Sequence, residues 1–348
     1  MTRLLYNYIL SVLSVVFLSG CVHEWPEPPA VRNARLTVTF DNVDGENTGW
    51  GIIHHNVQDG RTRAGEETLA RYTYEVYPAG NTRDRILRDA FVSQDLSCSD
   101  FTVGITLPEG EYDIYMWRDH VDSDVNEIFY KAADFSGITY TGTHIGNDSR
   151  KDCFSGKLSV SVPRSINGDI NVTGTIHLSR PLTAYTFIAT DLRDFIESEI
   201  SRRNLPHAAP PDPAAAFDIK AYIPDFDKYT VRFKYTGFLP SVFNIFHNKP
   251  TDSSTGVSFT APVSVLNSSE VLFGYDYFFC NGPESGIRVA LDVHDPQGNI
   301  IASTPNFDIP VKMSCCTVVR GDFLTSKASG GVGIDPGFDG EFNIEITR

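Results

Sequence analysis

Histidines, carboxylates and cysteines are the side chains that could do chemistry in this 348-residue sequence, and their spacing matches no catalytic motif. The chain has no GxSxG, GxxxxGK[ST] or HExxH segment, and no GxGxxG segment between a strand and a helix. His54 and His55 are the only adjacent histidines, and neighbouring residues of a strand point to opposite faces, which disfavours a shared metal. The sequence therefore predicts no enzyme, no catalytic residue and no cofactor.

One acidic run in the sequence could form a metal site. The run from Asp119 to Asp124, together with Glu127, has enough carboxylates to give oxygen ligands to Ca²⁺ if the loop curls. It lacks the central glycine and the terminal glutamate spacing of the EF-hand calcium loop. A solvated acidic turn is the preferred interpretation, so no metal site is predicted.

The most specific motif lies at the N-terminus. Residues 1–20 contain an uncharged run from Leu4 to Leu18, as a secretory signal peptide does, and this run is shorter than the roughly 20 apolar residues of a membrane span. The segment Leu18–Cys21 looks like the bacterial lipobox, in which the cysteine thiolate takes a diacylglyceryl group before the chain is cleaved ahead of it. We therefore predict a signal peptide over 1–20 and a lipid attachment at Cys21 that holds the protein on a membrane.

The residues after Cys21 predict a spacer and an exported location. Residues 21–34 contain Pro26, Pro28 and Pro29, which stiffen an extended chain into a tether. We expect the lipidated chain to reach the outer membrane, and the sequence leaves open which face of that membrane it occupies.

Charge excludes one class of partner. Asp and Glu total 44 against 29 Lys and Arg, which gives a formal charge of −15. Nucleic-acid binding requires a basic surface that neutralises phosphates. The composition therefore predicts no nucleic-acid partner.

The remaining cysteines predict disulfides, because export to an oxidising compartment permits them. With Cys21 acylated, five are left: Cys98, Cys153, Cys280, Cys315 and Cys316. Cys98 and Cys153 fall in the first half of the chain and are expected to pair. Cys280 is expected to pair with either Cys315 or Cys316, since adjacent strand residues point to opposite faces and only one can come within the usual Cα separation of about 6 Å. One thiol is then left over.

Apolar residues recur mostly at every second position from residue 35 onward, as in strands with one face in a core. Leu36, Val38 and Phe40 show the pattern, and turn residues separate such runs at roughly ten-residue intervals, which indicates β-sandwiches. We predict an all-β protein with two sandwiches in tandem, over residues 35–178 and 179–348.

Two short helices are predicted within the sandwiches. Ile86, Leu87 and Phe91 cluster on one face of a helix over 82–91. The clearer helix spans 190–203, with apolar residues at helical intervals and Thr190 as its N-cap.

Four segments resemble the fimbrillin superfamily of Bacteroidia, and within it the lipoprotein anchor and accessory subunits of type V pili. The order of these segments and the lipobox ahead of them carry the resemblance across both predicted sandwiches. The segments are Leu107–Trp117, Arg180–Leu192, Gly237–Asn244, and Ile309–Lys312 followed by Thr317–Thr325. The chain departs from the family at Ser314–Cys316, where relatives usually carry an asparagine and an aromatic residue.

This resemblance implies transthyretin-like sandwiches and a role in surface structures. Subunits of that family polymerise by strand donation, in which a strand of one subunit completes a sheet of its neighbour. A lipidated member would sit at the base of the pilus and supply a docking edge to fimbrial subunits. The run Phe342–Ile346 alternates as a strand and has two interpretations: a strand of its own sandwich, which is preferred, or that docking edge.

The leading function is thus an outer-membrane lipoprotein that anchors or caps a pilus, or a surface adhesin. The alternative is a surface lipoprotein that binds glycans on aromatic platforms, for which Trp50 and Trp117 are the candidates. Tryptophan in a sandwich is more often part of the core, and Trp117 ends an alternating run, so the core interpretation is preferred for it.

Overall fold

The computed structural model of the chain describes residues 32–40, 68–164, 172–206, 217–325 and 345–347. The predicted signal peptide, Cys21 and most of the predicted tether lie outside these ranges, as do Trp50, His54 and His55. Within the described ranges, none of the helices has the length and apolar character needed to cross a membrane.

The N-terminal sandwich consists of two sheets that pack face to face. Its half of the chain contains β1 (Arg32–Phe40), β2 (Thr68–Pro78), β3 (Leu87–Ser93), β4 (Phe101–Leu107), β5 (Gly110–Asp122), β6 (Tyr130–Lys131), β7 (Ile138–Tyr140), a 3₁₀ turn (Ser149–Lys151), β8 (Phe154–Val162) and β9 (Val172–Leu178). One sheet has the order β4-β1-β9 and the other β3-β2-β5-β8. Leu36, Tyr74 and Ile114 are among the buried side chains between the sheets, as the period-two alternation predicts.

The C-terminal sandwich is larger and carries the helix. Its elements are β10 (Leu182–Ala189), α1 (Leu192–Arg203), two 3₁₀ turns (Ile219–Ala221, Phe226–Lys228), β11 (Thr230–Tyr235), β12 (Leu239–Asn244), β13 (Lys249–Ser254), β14 (Ser258–Pro262), β15 (Ser264–Val265), β16 (Val271–Phe279), β17 (Glu284–His294), β18 (Ile300–Ser303), β19 (Phe307–Lys312), β20 (Cys316–Gly321) and β21 (Glu345–Thr347). One sheet has the order β15-β16-β10-β20-β21, and the other has the order β14-β11-β17-β18, with β19 also paired to β17. Phe187, Phe233 and Phe273 belong to its buried core. The predicted all-β fold with two tandem sandwiches is confirmed.

A fifth sheet, of four strands, takes strands from both halves of the chain. Its order is β13-β12-β7-β6, so that two strands before residue 178 pair with two strands after it. Phe243 on β12 lies opposite Ile138 on β7. The two sandwiches are therefore joined by strand pairing as well as by side-chain packing.

Helix α1 was predicted correctly, but its N-cap was not. The helix begins at Leu192 after the N-cap residue Asp191, and it ends at Arg203. The C-cap residue Asn204 is in a left-handed conformation. Thr190, the predicted cap, instead donates a hydrogen bond to Asp322. The Asp191 carboxylate accepts hydrogen bonds from the backbone of Leu324 and Thr325, which ties the helix start to the segment after β20.

The predicted helix over 82–91 is wrong. This segment turns at Gly80, whose φ is +74°, and continues as β3, which pairs antiparallel with β2 from Val76 opposite Leu87 onward. Leu87 and Phe91 pack against the core, whereas Ile86 is 46% exposed. Strand pairing with β2 decides the structure here, because the spacing of these apolar residues fits a helix and a strand equally.

Candidate functional site

The acidic run begins in strand β5 and ends in the turn after Asp122, and both Asp119 and Asp122 already have partners. Asp119 accepts from Arg71 at 2.9 and 2.7 Å. Asp122 accepts from the backbone and the side-chain amide of Asn126 at 2.7 and 3.0 Å. In the part of the chain that the structure describes, no group of three or more His, Cys, Asp or Glu residues is arranged to hold a metal ion.

The five cysteines of the described ranges carry no disulfide in this structure. Cys98 packs at the edge of the N-terminal core, whereas Cys153 lies between the sandwiches. Cys280 and Cys315 flank the start of β10: the Cys280 N–H donates to the Pro181 carbonyl, and the Ser314 N–H donates to the Leu182 carbonyl. Burial, reinforced by the neighbouring Cys315 thiol, raises the pKa of Cys280 to about 12. Both disulfide pairings therefore stay predictions.

We expect oxidation after export to join Cys280 to Cys315 rather than to Cys316. Cys280 packs in the C-terminal core, but the Cys316 side chain belongs to the cluster between the sandwiches. Mass spectrometry of unreduced, alkylated peptides should recover Cys280 linked to Cys315. Recovery of Cys280 alkylated without reduction, or linked to Cys316, would show this pairing to be wrong. Recovery of Cys98 alkylated without reduction would show the pairing of Cys98 with Cys153 to be wrong.

The surface between the two sandwiches is a buried, largely aromatic layer that we name the junction cluster. Alternate residues of β5, including Tyr115 and Trp117, contact residues of β10 and β16 there. The cluster consists of Tyr77, Tyr115, Trp117, Phe129, Tyr130, Ala132, Phe135, Ile138, Cys153, Leu182, Ala184, Phe243, Ile245, Tyr275, Tyr277, Phe279 and Cys316. Strands β10 and β16 are buried on both faces for this reason.

A lysine and an aspartate are buried together beside the junction cluster. Asp276 on β16 is fully buried and Lys151 is 1% exposed. The Lys151 Nζ donates to Asp276 Oδ1 at 2.7 Å, while His144 Nε2 lies 2.6 Å from Oδ2 and the Tyr235 hydroxyl donates to the same oxygen. Burial alone would raise the pKa of the Asp276 carboxyl, but Lys151 and His144 outweigh it and lower that pKa to about 2.

Three features of the segment 146–148 bring Lys151 to Asp276. Asp148 caps the 3₁₀ turn by accepting from the Arg150 N–H at 3.0 Å. The Asn147 N–H donates to the carbonyl of Tyr275, one residue before Asp276, at 2.8 Å. At Gly146 an added Cβ would lie 2.5 Å from the ring of Phe259, so only glycine permits the loop to approach the C-terminal sandwich this closely.

A second buried ion pair crosses the same junction. Arg180 is 1% exposed, and its Nε donates to both carboxylate oxygens of Asp152 at 2.9 and 3.0 Å. Its guanidinium also lies 4.8 Å from the centre of the Phe154 ring. Because a buried charge without a partner is strongly unfavourable, removal of one member of either pair would destabilise the packed junction.

Neither ion pair was predicted from the sequence, although one signal was present. Asp276 interrupts the run Val271–Phe279, which is otherwise free of charge. A carboxylate in a strand buried on both faces requires a cationic or hydrogen-bonding partner. That signal does not identify Lys151, which is 125 positions away.

The C-terminal strand occupies the edge of the C-terminal sandwich. β20 pairs with β10 on one side, and on the other side β21 lies opposite Cys316, Thr317 and Val318. Within the predicted run Phe342–Ile346, residues 342–344 lie outside the described ranges, whereas Glu345 and Ile346 form β21 together with Thr347. These described residues pair within the C-terminal sandwich, as the preferred interpretation expects.

The structure gives no support to an aromatic platform at the predicted position. Trp117 is fully buried in the junction cluster, as its core interpretation predicted. The most exposed large apolar side chain in the described ranges is Phe238, which is 73% exposed beside a shallow groove between β17 and β19.

Comparison with solved structures finds distant similarity to proteins of Bacteroides, Porphyromonas and Parabacteroides species. A candidate polysaccharide-binding protein of Bacteroides thetaiotaomicron VPI-5482 is 12% identical, with a TM-score of 0.44 over 83% of this chain and 91% of that one. The fimbrial anchor protein Mfa2 of Porphyromonas gingivalis is 12% identical, with a TM-score of 0.39 over 83% and 91%. A fimbrial assembly protein of Parabacteroides distasonis ATCC 8503 is 9% identical, with a TM-score of 0.38 over 87% and 94%.

Comparison with curated proteins finds no match. One family model matches almost the whole chain, over residues 30–347. The chain therefore belongs to the family of unknown function DUF6562.

Proposed function

We propose that this protein is a lipid-anchored, non-catalytic protein of the outer membrane that acts as an anchor or accessory subunit of a pilus, or as a surface adhesin. The observation that carries the proposal is the lipobox Leu18–Cys21, followed by a proline-rich tether and then by two sandwiches. A single lipidated cysteine would hold the chain on the membrane. The tether would keep the sandwiches away from the lipid surface.

The junction between the sandwiches supports a role under mechanical load. Strand pairing, an aromatic layer and two buried ion pairs join the sandwiches. Separation would expose the aromatic residues to water, which is unfavourable. The two sandwiches would therefore transmit force from the tether to a partner as one body.

The edge at β20 supports docking by strand donation. Among the described strands, β21 is the outermost strand of its sheet, so a strand from a partner can add to this edge or replace β21 beside β20. A fimbrial subunit that donates such a strand would gain main-chain hydrogen bonds along the edge. This edge is the proposed contact with the pilus.

Crosslinking on intact cells, followed by recovery of the chain from the outer-membrane fraction, tests the proposal. We expect fimbrial subunits to be recovered with the chain. Recovery of the chain without such subunits, combined with specific binding on a glycan array, would instead support the alternative of a glycan-binding lipoprotein.

A further inference from the structure

We propose that Lys151 and Asp276 join in an intramolecular amide bond, which links the two sandwiches covalently. Lys151 lies in the 3₁₀ turn before β8, and Asp276 lies in β16 of the other sandwich. This inference rests on the buried groups themselves and does not depend on the proposed function.

The amine and the carboxyl group are already in contact. The Lys151 Nζ lies 2.7 Å from Asp276 Oδ1, and both side chains are removed from solvent. The capped turn and the Asn147 bond to Tyr275 fix this approach. Such fixed contact between two reacting groups replaces a bimolecular encounter and is a large source of rate acceleration.

His144 is placed to move protons between the two groups. Its Nε2 lies 2.6 Å from Asp276 Oδ2 and 3.3 Å from the Lys151 Nζ. The His144 Nε2 therefore lies near both the Lys151 Nζ, which must lose protons, and Asp276 Oδ2, which must leave. A general acid and base needs this geometry more than it needs any particular pKa.

Burial favours the neutral amine, and a backbone N–H faces the developing charge. The Tyr140 ring lies 5.0 Å from the Lys151 Nζ, and Tyr185 and Tyr235 are buried nearby, so aromatic side chains take the place of water here. Burial lowers the pKa of the Lys151 amine despite the opposing effect of Asp276, so the nucleophilic form becomes more accessible. The Tyr277 N–H donates to Asp276 Oδ1 at 2.8 Å, where it would stabilise an oxyanion.

The step balances without any additional reactant. His144 takes one proton from the Lys151 ammonium and gives it to Asp276 Oδ2, which produces an amine and a carboxylic acid. The Nζ lone pair then attacks Cγ, and negative charge collects on Oδ1. A second proton passes from Nζ through His144 to Oδ2 as the Cγ–Oδ2 bond breaks. The products are one C–N amide bond and one water molecule.

Peptide mass spectrometry of the full chain, extracted in detergent and denatured before digestion, tests this inference. We expect the peptides that contain Lys151 and Asp276 to be recovered as one linked species, lighter than their sum by one water, with no tryptic cleavage after Lys151. An ion pair does not survive denaturation. Recovery of the two peptides separately at their full masses would therefore overturn the proposal, and it would leave the proposed function untouched.

Two variants assign the chemistry. Lys151→Arg keeps the positive charge beside Asp276 but removes the nucleophilic amine, so we expect no linked species. A loss of water that persists in Lys151→Arg would contradict the assignment to Lys151.

His144→Phe keeps a ring against Tyr235 and should slow linkage by about 10²-fold. Linkage at the wild-type rate in this variant would remove His144 from the mechanism.

Discussion

Replacement of Arg180 by alanine is expected to lower the free energy of unfolding by about 3–5 kcal/mol. Arg180 is buried at the junction of the sandwiches and donates from both Nε and Nη2 to the carboxylate of Asp152, which is itself 4% exposed. The substitution leaves that carboxylate buried without its cation and removes the guanidinium that packs on the Phe154 ring. Urea unfolding followed by intrinsic fluorescence measures the change.

Arg288→Ala is the matched control for this prediction. Arg288 makes the same kind of two-pronged contact with Asp308, at 2.7 and 3.0 Å, but on an exposed part of β17 and β19. Solvent screens such pairs, so we expect no measurable loss of stability. Equal losses in the two variants would contradict the view that buried charges hold the junction together.

Acidification from about pH 6.5 toward pH 3 is expected to destabilise the fold, with His120 as a main cause. His120 on β5 is buried, and its Nδ1 lies 2.7 Å from the Arg150 carbonyl. Burial, with the Arg118 charge, lowers the pKa of His120 to about 3, against the opposing effects of Asp152, Asp148 and the Arg150 carbonyl.

The sign follows from proton uptake by the two states. In the unfolded chain His120 takes a proton below about pH 6.5, whereas in the folded chain it stays neutral until about pH 3. The unfolded state therefore binds more protons in this window, and stability falls by about 1.4 kcal/mol for each pH unit.

Unfolding free energies measured across this pH range in the wild type and in His120→Gln test the prediction. Glutamine keeps a donor for the Arg150 carbonyl but has no proton to gain. Between about pH 6.5 and pH 4, we expect the unfolding free energy of the variant to fall less steeply with acidification than that of the wild type. The difference in slope should correspond to about one proton. Identical slopes would contradict the assignment to His120, even if the variant is less stable overall.

The strands could be predicted from the sequence because their period-two pattern is a local property. Leu36, Val38 and Phe40 alternate because one face of β1 packs in the N-terminal core. The same pattern could not show that β5, β10 and β16 are buried on both faces, because the second face is covered only when the two sandwiches pack together. The error at 82–91 has a similar origin, since β3 forms by pairing with β2.

The junction could be predicted least of all. Lys151 and Asp276 are brought together by the hydrogen bond from Asn147 to Tyr275 and by the close approach at Gly146. Both are long-range contacts with no periodic signal along the chain. By contrast, the prediction of a lipid at Cys21 comes from a short contiguous motif, and Cys21 lies outside the described ranges.

The central claim is that the lipidated chain connects the outer membrane to fimbrial subunits. Comparison of crosslinked partners between wild-type cells and cells that carry Cys21→Ala tests it most directly, because the substitution removes the lipid but leaves both sandwiches unchanged. We expect the wild type to bring fimbrial subunits into the outer-membrane fraction and Cys21→Ala to be lost from that fraction. Membrane association that persists in Cys21→Ala, or a wild-type chain that carries no fimbrial subunit, would contradict the claim.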